Sequence, residues 1–316
     1  MADLIGEEKI RALARNLLAE DRVDVVIGFE RGTLPLRASP VFIRDAGDAD
    51  RLIWDCFCEN NLARYLISLN SQRVALVAKG CDTRSVVALL QERQIHRDRV
   101  TIIGVPCPRM VNRRRVMEEA GGEIRYARLQ GADLYLEGRE FRKTLKKDDF
   151  LYPSCTACTH RNPVIYDFLV GEPVEEESVG EDPWIAFEKL PDHERWARFS
   201  REIAPCIRCY GCRQACPMCY CTECFVDSTS PRWIDKGLDL SDIQVWQIVR
   251  TLHLAGRCVG CGACERACPV GVNLFYMHGK LNQELNSLFA FETGIDAGAP
   301  PPLATFSPDD PEQFIR

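Results

Sequence analysis

The chain has 316 residues, a formal net charge of −6 at pH 7 and 46% hydrophobic residues. These values describe a globular protein that is long enough for a conventional core and a smaller second module. The acidic balance argues against nucleic acid as the main partner. No apolar stretch approaches the roughly 20 residues that span a bilayer, and the acidic start of the chain lacks the pattern of a signal peptide. We therefore expect a cytoplasmic protein without a membrane span, whose 17 cysteines stay reduced and available to metal.

The first half of the sequence alternates helix and strand patterns, which predicts an α/β fold with a mixed sheet and flanking helices. The predicted elements are a helix with Ile10, Leu13 and Leu17 on one face, a strand at 23–28, a helix at 54–69, a strand at 73–78, a helix capped by Asp82, and a strand at 100–105. Strand, helix and strand at this spacing indicate a right-handed βαβ unit with parallel strands.

Two cysteines follow the strands of this predicted unit. Cys81 comes just after the strand at 73–78, and Cys107 just after the strand at 100–105. Sites on parallel sheets lie beyond the carboxyl ends of the strands. We therefore expect both thiols at the same sheet edge, where they suit a shared metal site.

An acidic, apolar-poor segment at 171–182 is typical of a linker or an exposed loop, and two cysteine runs come after it. Each run reads C-x2-C-x2-C-x3-C-P, in which three cysteines hold one [4Fe–4S] cluster and the fourth binds the other cluster. The runs consist of Cys206, Cys209, Cys212 and Cys216, and of Cys258, Cys261, Cys264 and Cys268. A disulfide framework would need an oxidising compartment, and zinc sites are usually built from separated cysteine pairs. The runs predict a small ferredoxin-like module with two [4Fe–4S] clusters that carries electrons.

A helix is predicted between the two runs. Ser241 and Gln244 form a potential capping box, and Gly256 can end the helix. Its predicted apolar face consists of Val245, Ile248, Val249 and Leu252. The tail from Gly294 onward has three consecutive prolines and no periodic pattern, which predicts either disorder or an arm that wraps a partner.

Nine further cysteines lie outside the runs. Cys155 and Cys158 form a C-x2-C pair that, with Cys81 and Cys107, supplies four thiols for a third [4Fe–4S] cluster; buried core cysteines are the other interpretation. Directly after the first run come Cys219, Cys221 and Cys224. These are packing residues or alternative ligands, or they complete another site with a partner or with Cys56 or Cys58, which we expect to be structural.

Four elements occur in an order typical of one family. They are Lys79-Gly80-Cys81-Asp82, Gly104-Val105-Pro106-Cys107, the Cys155-x2-Cys158 pair, and Asp167-Phe168-Leu169-Val170-Gly171. Residues 20–172 thereby resemble the beta subunit of coenzyme F420-dependent hydrogenases and formate dehydrogenases. The resemblance implies a third [4Fe–4S] cluster on Cys81, Cys107, Cys155 and Cys158, together with a flavin, FAD.

The flavin site is indicated by few residues. Lys79, Gly80 and Arg84 surround a strand-to-helix turn, where a helix N-terminus favours a flavin phosphate; exposed basic side chains are the alternative interpretation. No dinucleotide fingerprint of the G-x-G-x-x-G type occurs, and no catalytic residue is assigned.

These patterns together predict four segments. Residues 1–172 form the beta-subunit-like domain, 173–198 an acidic linker, 199–275 the two-cluster domain, and 276–316 a helix and an extended tail. The resemblance implies an electron-transfer subunit between a dehydrogenase or hydride carrier and a heterodisulfide-reductase-like partner, within a complex of the formate dehydrogenase or hydrogenase type. The alternatives are a flavin-free relay or scaffold subunit and, more distantly, a zinc-containing structural or sensing protein.

Overall fold

A computed structural model describes residues 2–177 and 184–304 of the chain. The chain divides into two compact units, of which the first comprises 1–83 and 95–179 and the second 84–94 and 180–316. The second unit thus includes a short piece of the N-terminal half, which the sequence patterns do not indicate.

The first unit is built on a six-stranded mixed sheet with strand order β2-β1-β4-β5-β9, with β3 paired to β1. Its strands are β1 (Val25–Arg31), β2 (Ala38–Ile43), β3 (Leu52–Ile53), β4 (Val74–Ala78), β5 (Val100–Gly104) and β9 (Phe168–Leu169). Strands β1, β4, β5 and β9 pair in parallel, whereas β2 and β3 are antiparallel to β1. The predicted mixed α/β sheet is confirmed.

Four helices and a second sheet complete this part of the chain. The helices are α1 (Ala2–Ala19), α2 (Gly80–Gln91), α3 (Arg113–Ala120) and α4 (Pro153–Thr156), and α2 continues into the residues of the second unit. The second sheet is antiparallel and contains β6 (Ile124–Gln130), β7 (Asp133–Gly138) and β8 (Arg142–Lys146). Every residue of β4 is buried, as expected for a strand covered on both faces.

The predicted helix at 54–69 is wrong. Asp55 accepts a hydrogen bond of 2.8 Å from the amide of Phe57, and Asn61 accepts one of 3.1 Å from the amide of Ala63. Such Asx turns compete with helical hydrogen bonding. The segment therefore forms turns and two short 3-10 helices, Leu62–Tyr65 and Ile67–Leu69.

The second unit is helical. Its helices are α5 (Ile185–Glu188), α6 (Asp192–Ile203), α7 (Gly211–Ala215), α8 (Leu240–His253), α9 (Ala263–Arg266) and α10 (Leu274–Phe289). Its buried core contains Trp246 together with three cysteines of the two runs, Cys212, Cys264 and Cys268. The core of this unit is therefore made in part of the proposed cluster ligands.

The predicted linker at 173–198 is partly helical. Residues 178–183 lie outside the described part of the chain, but 184–198 hold α5 and the start of α6. The indole nitrogen of Trp184 donates a 2.8 Å hydrogen bond to the carbonyl of Tyr276, and its ring packs against Phe275 with the ring centroids 5.5 Å apart. These aromatic contacts fix a segment whose composition suggests a linker. Of the predicted tail, residues 305–316 lie outside the described part.

The apolar face predicted for α8 is also wrong. Val245 and Leu252 are 44% and 58% exposed, whereas Trp246, Gln247 and Arg250 are at most 3% exposed. The capping box does not form, because Gln244 donates instead to the hydroxyl of Ser200 at 2.8 Å. Helix α8 therefore turns a mixed face toward the interior of its unit, made of Ile243, Trp246, Gln247, Arg250 and Thr251.

Candidate iron–sulfur centres

The two cysteine runs have the same local backbone. In each run the residue two positions after the first cysteine is left-handed and donates its amide to that cysteine: Arg208 to the Sγ of Cys206, and Gly260 to the Sγ of Cys258, both at 3.4 Å. Amide donors stabilise negative charge on sulfur and are a recurrent feature of iron–sulfur sites. The repeated geometry indicates that both runs are shaped for the same kind of group.

In the first run, residues other than glycine adopt the left-handed conformation. Glycine adopts a positive φ at little cost, and the second run has Gly260 and Gly262 at +69° and +70°. The first run has Arg208 and Tyr210 at +49° and +58°. Both side chains have contacts that hold them, since Arg208 donates to the carbonyl of Gly237 at 2.8 Å and Tyr210 packs edge-on against Trp246.

A cavity in the second unit joins the two runs. Four cysteines are among the residues that line it, namely Cys206, Cys209, Cys212 and Cys268. These are three cysteines of the first run and the last cysteine of the second, which is the exchange expected of a two-cluster ferredoxin module. The amide of Val272 donates to the Sγ of Cys268 at 3.3 Å. The residues of this cavity fit a [4Fe–4S] cluster in both number and origin.

The remaining four cysteines of the runs are also electrostatic neighbours. Burial raises the pKa of the Cys258 thiol to about 12, with contributions from Cys261 and Cys216. Burial likewise raises the pKa of the Cys264 thiol to about 12, and Cys216, Cys258 and Cys261 add to the effect. These influences support Cys258, Cys261, Cys264 and Cys216 as the second candidate set. Such thiols keep their protons at neutral pH until iron replaces them, because a metal binds the thiolate.

The three cysteines after the first run differ from one another. Cys219 is hydrogen-bonded to Cys216, which lowers the pKa of the Cys219 thiol despite its burial. Cys224 packs against the core of the second unit, and Cys221 is exposed. Cys219 is therefore placed directly beside a predicted ligand.

The first unit brings its predicted cysteines to one edge of the sheet. Strands β4 and β5 pair in parallel from Val74 and Val100 to Ala78 and Gly104, so Cys81 and Cys107 both follow the carboxyl ends of the strands. Burial raises the pKa of the Cys107 thiol to about 12, and the charges of Cys155 and Cys158 contribute. Cys107 is therefore close to both cysteines of the C-x2-C pair.

A close backbone approach brings the loop after Cys158 to Gly80, the residue before Cys81. A Cβ atom at Gly80 would lie 2.2 Å from the carbonyl oxygen of His160 and 2.8 Å from that of Asn162. The absent side chain of Gly80 thus lets the loop after Cys158 pass directly over the start of α2. The same loop is tied to Cys107, whose amide donates to the carbonyl of Arg161 at 3.0 Å.

Lys79 is a buried cation at this edge rather than an open phosphate ligand. Its side chain is 1% exposed and pairs with Asp82, with Nζ and Oδ2 2.9 Å apart, and it donates to the carbonyl of Asn60 at 2.6 Å. Burial disfavours the charged form, but Asp82 and the thiols of Cys81 and Cys107 outweigh it and raise the pKa of Lys79.

Gly80 and Arg84, the other two residues predicted for a flavin site, are also in contact with protein groups. The loop at His160 fills the space beside Gly80. Arg84 is 8% exposed and belongs to the second unit, where it donates to the carbonyl of Thr293 at 3.0 and 2.7 Å and pairs with Glu292. Lys79, Gly80 and Arg84, as placed here, do not fit the role of phosphate ligands.

Cys56 and Cys58 lie in the interior of the first unit, and both are fully buried. The Sγ of Cys58 accepts the amide of Asp55 at 3.3 Å. Within 2–177 and 184–304, no three His, Cys, Asp or Glu side chains converge closely enough to hold a single metal ion. A [4Fe–4S] cluster differs from such an ion because each of its four thiolates binds a different iron.

Comparison with known protein families gives a match within the second unit. A family model described as "4Fe-4S dicluster domain" matches residues 202–272, which contain all eight cysteines of the two runs. The prediction of a module with [4Fe–4S] clusters is confirmed. No helix in the described ranges is long and apolar enough to cross a membrane.

The whole chain is similar to two curated proteins. It is 22% identical to the F420-dependent formate dehydrogenase subunit beta of Methanocaldococcus jannaschii, over 92% of this chain and 93% of the relative. It is 24% identical to the F420-dependent formate dehydrogenase 1 subunit beta of Methanococcus maripaludis, over 95% of this chain and 93% of that protein. The resemblance predicted from the sequence motifs is thereby confirmed.

Among solved structures, the chain is similar to one from the F420-reducing [NiFe] hydrogenase complex of Methanosarcina barkeri. The similarity covers 48% of this chain and 59% of that one, with 15% identity and a TM-score of 0.38.

Proposed function

We propose that this chain is an iron–sulfur electron-transfer subunit of an oxidoreductase complex of the formate dehydrogenase or hydrogenase type. The observation that carries the proposal is the cavity lined by Cys206, Cys209, Cys212 and Cys268, which joins three cysteines of the first run to the last cysteine of the second. A [4Fe–4S] cluster accepts and donates single electrons. The chain's own residues supply eight thiolates and the amide donors that hold two such clusters in one small unit.

The proposal includes a third [4Fe–4S] cluster in the first unit, bound by Cys81, Cys107, Cys155 and Cys158. Its support is the parallel β4–β5 edge, the passage of the loop after Cys158 over Gly80, and the mutual electrostatic influence of Cys107, Cys155 and Cys158. All four cysteines are partly buried. They are thus shielded without being sealed in the core, as an electron-transfer site requires.

Whether this chain uses a flavin is a separate matter from the clusters. The resemblance implies FAD, and both curated relatives are named as F420-dependent. The two side chains predicted to contact a flavin phosphate bind protein groups instead. Lys79 pairs with Asp82 and donates to the carbonyl of Asn60, and Arg84 donates to the carbonyl of Thr293. This observation favours the flavin-free relay, and no step of the proposed function passes through a flavin.

Iron and acid-labile sulfide in the anaerobically purified full chain test the cluster assignment. Three clusters require about twelve iron atoms per chain, at four for each cluster. About eight would contradict the site in the first unit, and zinc in place of iron would contradict the whole proposal. Released flavin, measured by fluorescence in the same sample, decides between the flavoprotein and the flavin-free relay.

The assignment of ligands to each cluster has its own test. Cys206→Ala and Cys268→Ala should abolish the same electron paramagnetic resonance (EPR) signal, because the two thiols line one cavity. Cys221→Ala is the matched control, since Cys221 is an exposed cysteine outside both sets. Loss of different signals in the first two variants would refute the exchange between the runs.

The formate dehydrogenase partner is proposed from the relatives' names, and the hydrogenase and heterodisulfide-reductase-like partners are proposed from the family resemblance of the sequence motifs. We expect the chain to associate with the catalytic subunit of a formate dehydrogenase or hydrogenase and, on the other side of the relay, with a heterodisulfide-reductase-like protein. Anaerobic affinity purification from native cells, with mass spectrometry of the copurified subunits, tests both. Recovery of the chain alone at salt concentrations that preserve such complexes would contradict this part of the proposal.

A further inference from the structure

A buried cation lies beside a predicted cluster ligand of the second unit. Arg250 extends from the inner face of α8 and is 3% exposed. Its Nη2 donates to the carbonyl of Cys212 at 3.2 Å. A guanidinium is always charged in proteins, and a buried charge is costly unless other groups compensate it.

The partner of Arg250 is neutral. Its Nη1 lies 2.7 Å from the Nε2 of His278, which is 2% exposed. Burial and the charge of Arg250 hold the pKa of His278 well below its usual range, so the imidazole accepts this hydrogen bond as a neutral ring. The Nε of Arg250 and the Nδ1 of His278 have no hydrogen-bond partner among the described residues. The hydrogen-bond acceptors of Arg250 are thus a backbone carbonyl and a neutral ring, and neither carries a negative charge that would compensate the guanidinium.

The buried surroundings of Arg250 include cysteines of both predicted sets. Cys212, whose carbonyl accepts from Arg250, lines the cavity of the first set. Cys212 also lies in one buried core with Cys264 of the second set and with Trp246 of α8. The cation is therefore placed next to the part of the core that both sets share.

We propose that Arg250 is the shared counter-charge of the two clusters and raises the reduction potentials of both. A cluster with four thiolate ligands is anionic, and it gains one more negative charge when it takes up one electron. A fixed positive charge nearby stabilises the reduced form more than the oxidised form, and nearby charge and hydrogen bonding are known to set these potentials. Arg250 is a positioning and tuning residue and takes no part in the transfer itself. This inference rests on the two clusters of the proposed function.

The test is a redox titration of the anaerobic full chain, with dithionite as the reductant and EPR as the readout. Arg250→Gln removes the charge, and we expect both midpoint potentials of the second unit to fall. A tenfold loss in the reduction equilibrium constant corresponds to about 59 mV for a one-electron couple. Arg250→Lys keeps the charge and should stay near the wild type. The EPR signal that Cys155→Ala abolishes serves as an internal reference, because it reports the first unit and should not move.

Arg198→Gln is the matched control. Arg198 lies on α6 of the same unit, where its guanidinium stacks on Phe187 and Tyr276, and the substitution changes the formal charge by the same amount. Unchanged potentials in Arg250→Gln, a shift in only one cluster, or an equal shift in Arg198→Gln would each overturn the inference.

The iron content separates the remaining outcomes. If Arg250→Gln binds less iron while Arg250→Lys retains it, the charge is required to hold the anionic clusters, which supports the inference. If Arg250→Lys loses iron as well, the shape of the arginine is what matters, and the inference is overturned. A wild-type chain without iron would instead refute the proposed function, and this inference with it.

Discussion

Substituting Gly80 by alanine should damage the cysteine site of the first unit without affecting the two runs. The new Cβ would lie 2.2 Å from the carbonyl oxygen of His160. Nonbonded heavy atoms prefer a separation of about 3.5–4.0 Å, so the loop that follows Cys158 must move by about 1 Å or more. The obstacle is backbone on both sides, which a change of rotamer cannot relieve.

The size of the effect can be isolated with a second glycine. Gly6 also lies in a helix, α1, but nothing comes within 4 Å of a Cβ placed there. Glycine to alanine in a helix gains up to about 1 kcal/mol from propensity, and overpacking costs about 1–3 kcal/mol. Since both variants share the gain, Gly80→Ala should be less stable than Gly6→Ala by about 1–3 kcal/mol.

Two measurements check this prediction. Urea unfolding of the two variants gives the difference in the free energy of unfolding. Iron analysis should show Gly80→Ala with about eight iron atoms and Gly6→Ala with about twelve, at four per cluster. A Gly80→Ala chain with full iron content and the stability of Gly6→Ala would refute both the close approach and its link to Cys158.

Three further predictions concern stability. Asp82→Asn should lower the free energy of unfolding by about 3–5 kcal/mol in urea titrations, because it leaves the buried charge of Lys79 unpaired; a loss under 1 kcal/mol would contradict the buried ion pair. Leu252→Glu should change the urea midpoint little, because the side chain of Leu252 is 58% exposed. Ile243→Glu should unfold the second unit, because the side chain of Ile243 is 2% exposed. Equal effects of the two substitutions would support the apolar face predicted from the sequence. Removing iron with a chelator should abolish hydrogen-exchange protection in α7 to α9 but leave β4 and β5 protected. The reason is that three of the proposed ligands are core residues of the second unit. Loss of protection in all of these elements would contradict this prediction.

The sequence was informative wherever one physical rule determined the structure. The buried strands β4 and β5, the parallel pair they form and the shared edge with Cys81 and Cys107 follow from apolar runs at βαβ spacing. The exchange of Cys268 into the first cysteine set follows from the ferredoxin spacing. In both cases no distant contact had to be known.

Prediction was least successful where polar side chains find protein partners that the hydrophobic pattern does not report. At 54–69 the side chains of Asp55 and Asn61 bind nearby backbone amides and replace a helix by turns. Lys79 lies at a strand-to-helix turn, which suggests a phosphate contact, yet it is paired with Asp82 and buried. The structural role of Arg84 depends on Thr293, more than 200 positions away, and no local pattern reports such a contact.

The inverted face of α8 connects these failures to the proposed chemistry. A hydrophobicity rule selects Val245 and Leu252 for the interior, but the core of this unit combines apolar side chains with three cysteines of the runs. Gln247 donates to the Sγ of Cys206 at 3.5 Å, and Arg250 donates to the carbonyl of Cys212 at 3.2 Å. Buried polar groups are tolerated when they find partners, and anionic clusters supply such partners.

Each unit contains a buried cation, and the two cations differ in the charge of their partners. Lys79 is offset by the carboxylate of Asp82, which leaves little net charge at the edge of the first unit, whereas Arg250 is paired with neutral His278. A cluster beside an offset cation gains less stabilisation on reduction than one beside a bare cation. We therefore expect the clusters of the second unit to have higher midpoint potentials than the proposed cluster of the first unit, which the redox titration of the full chain measures.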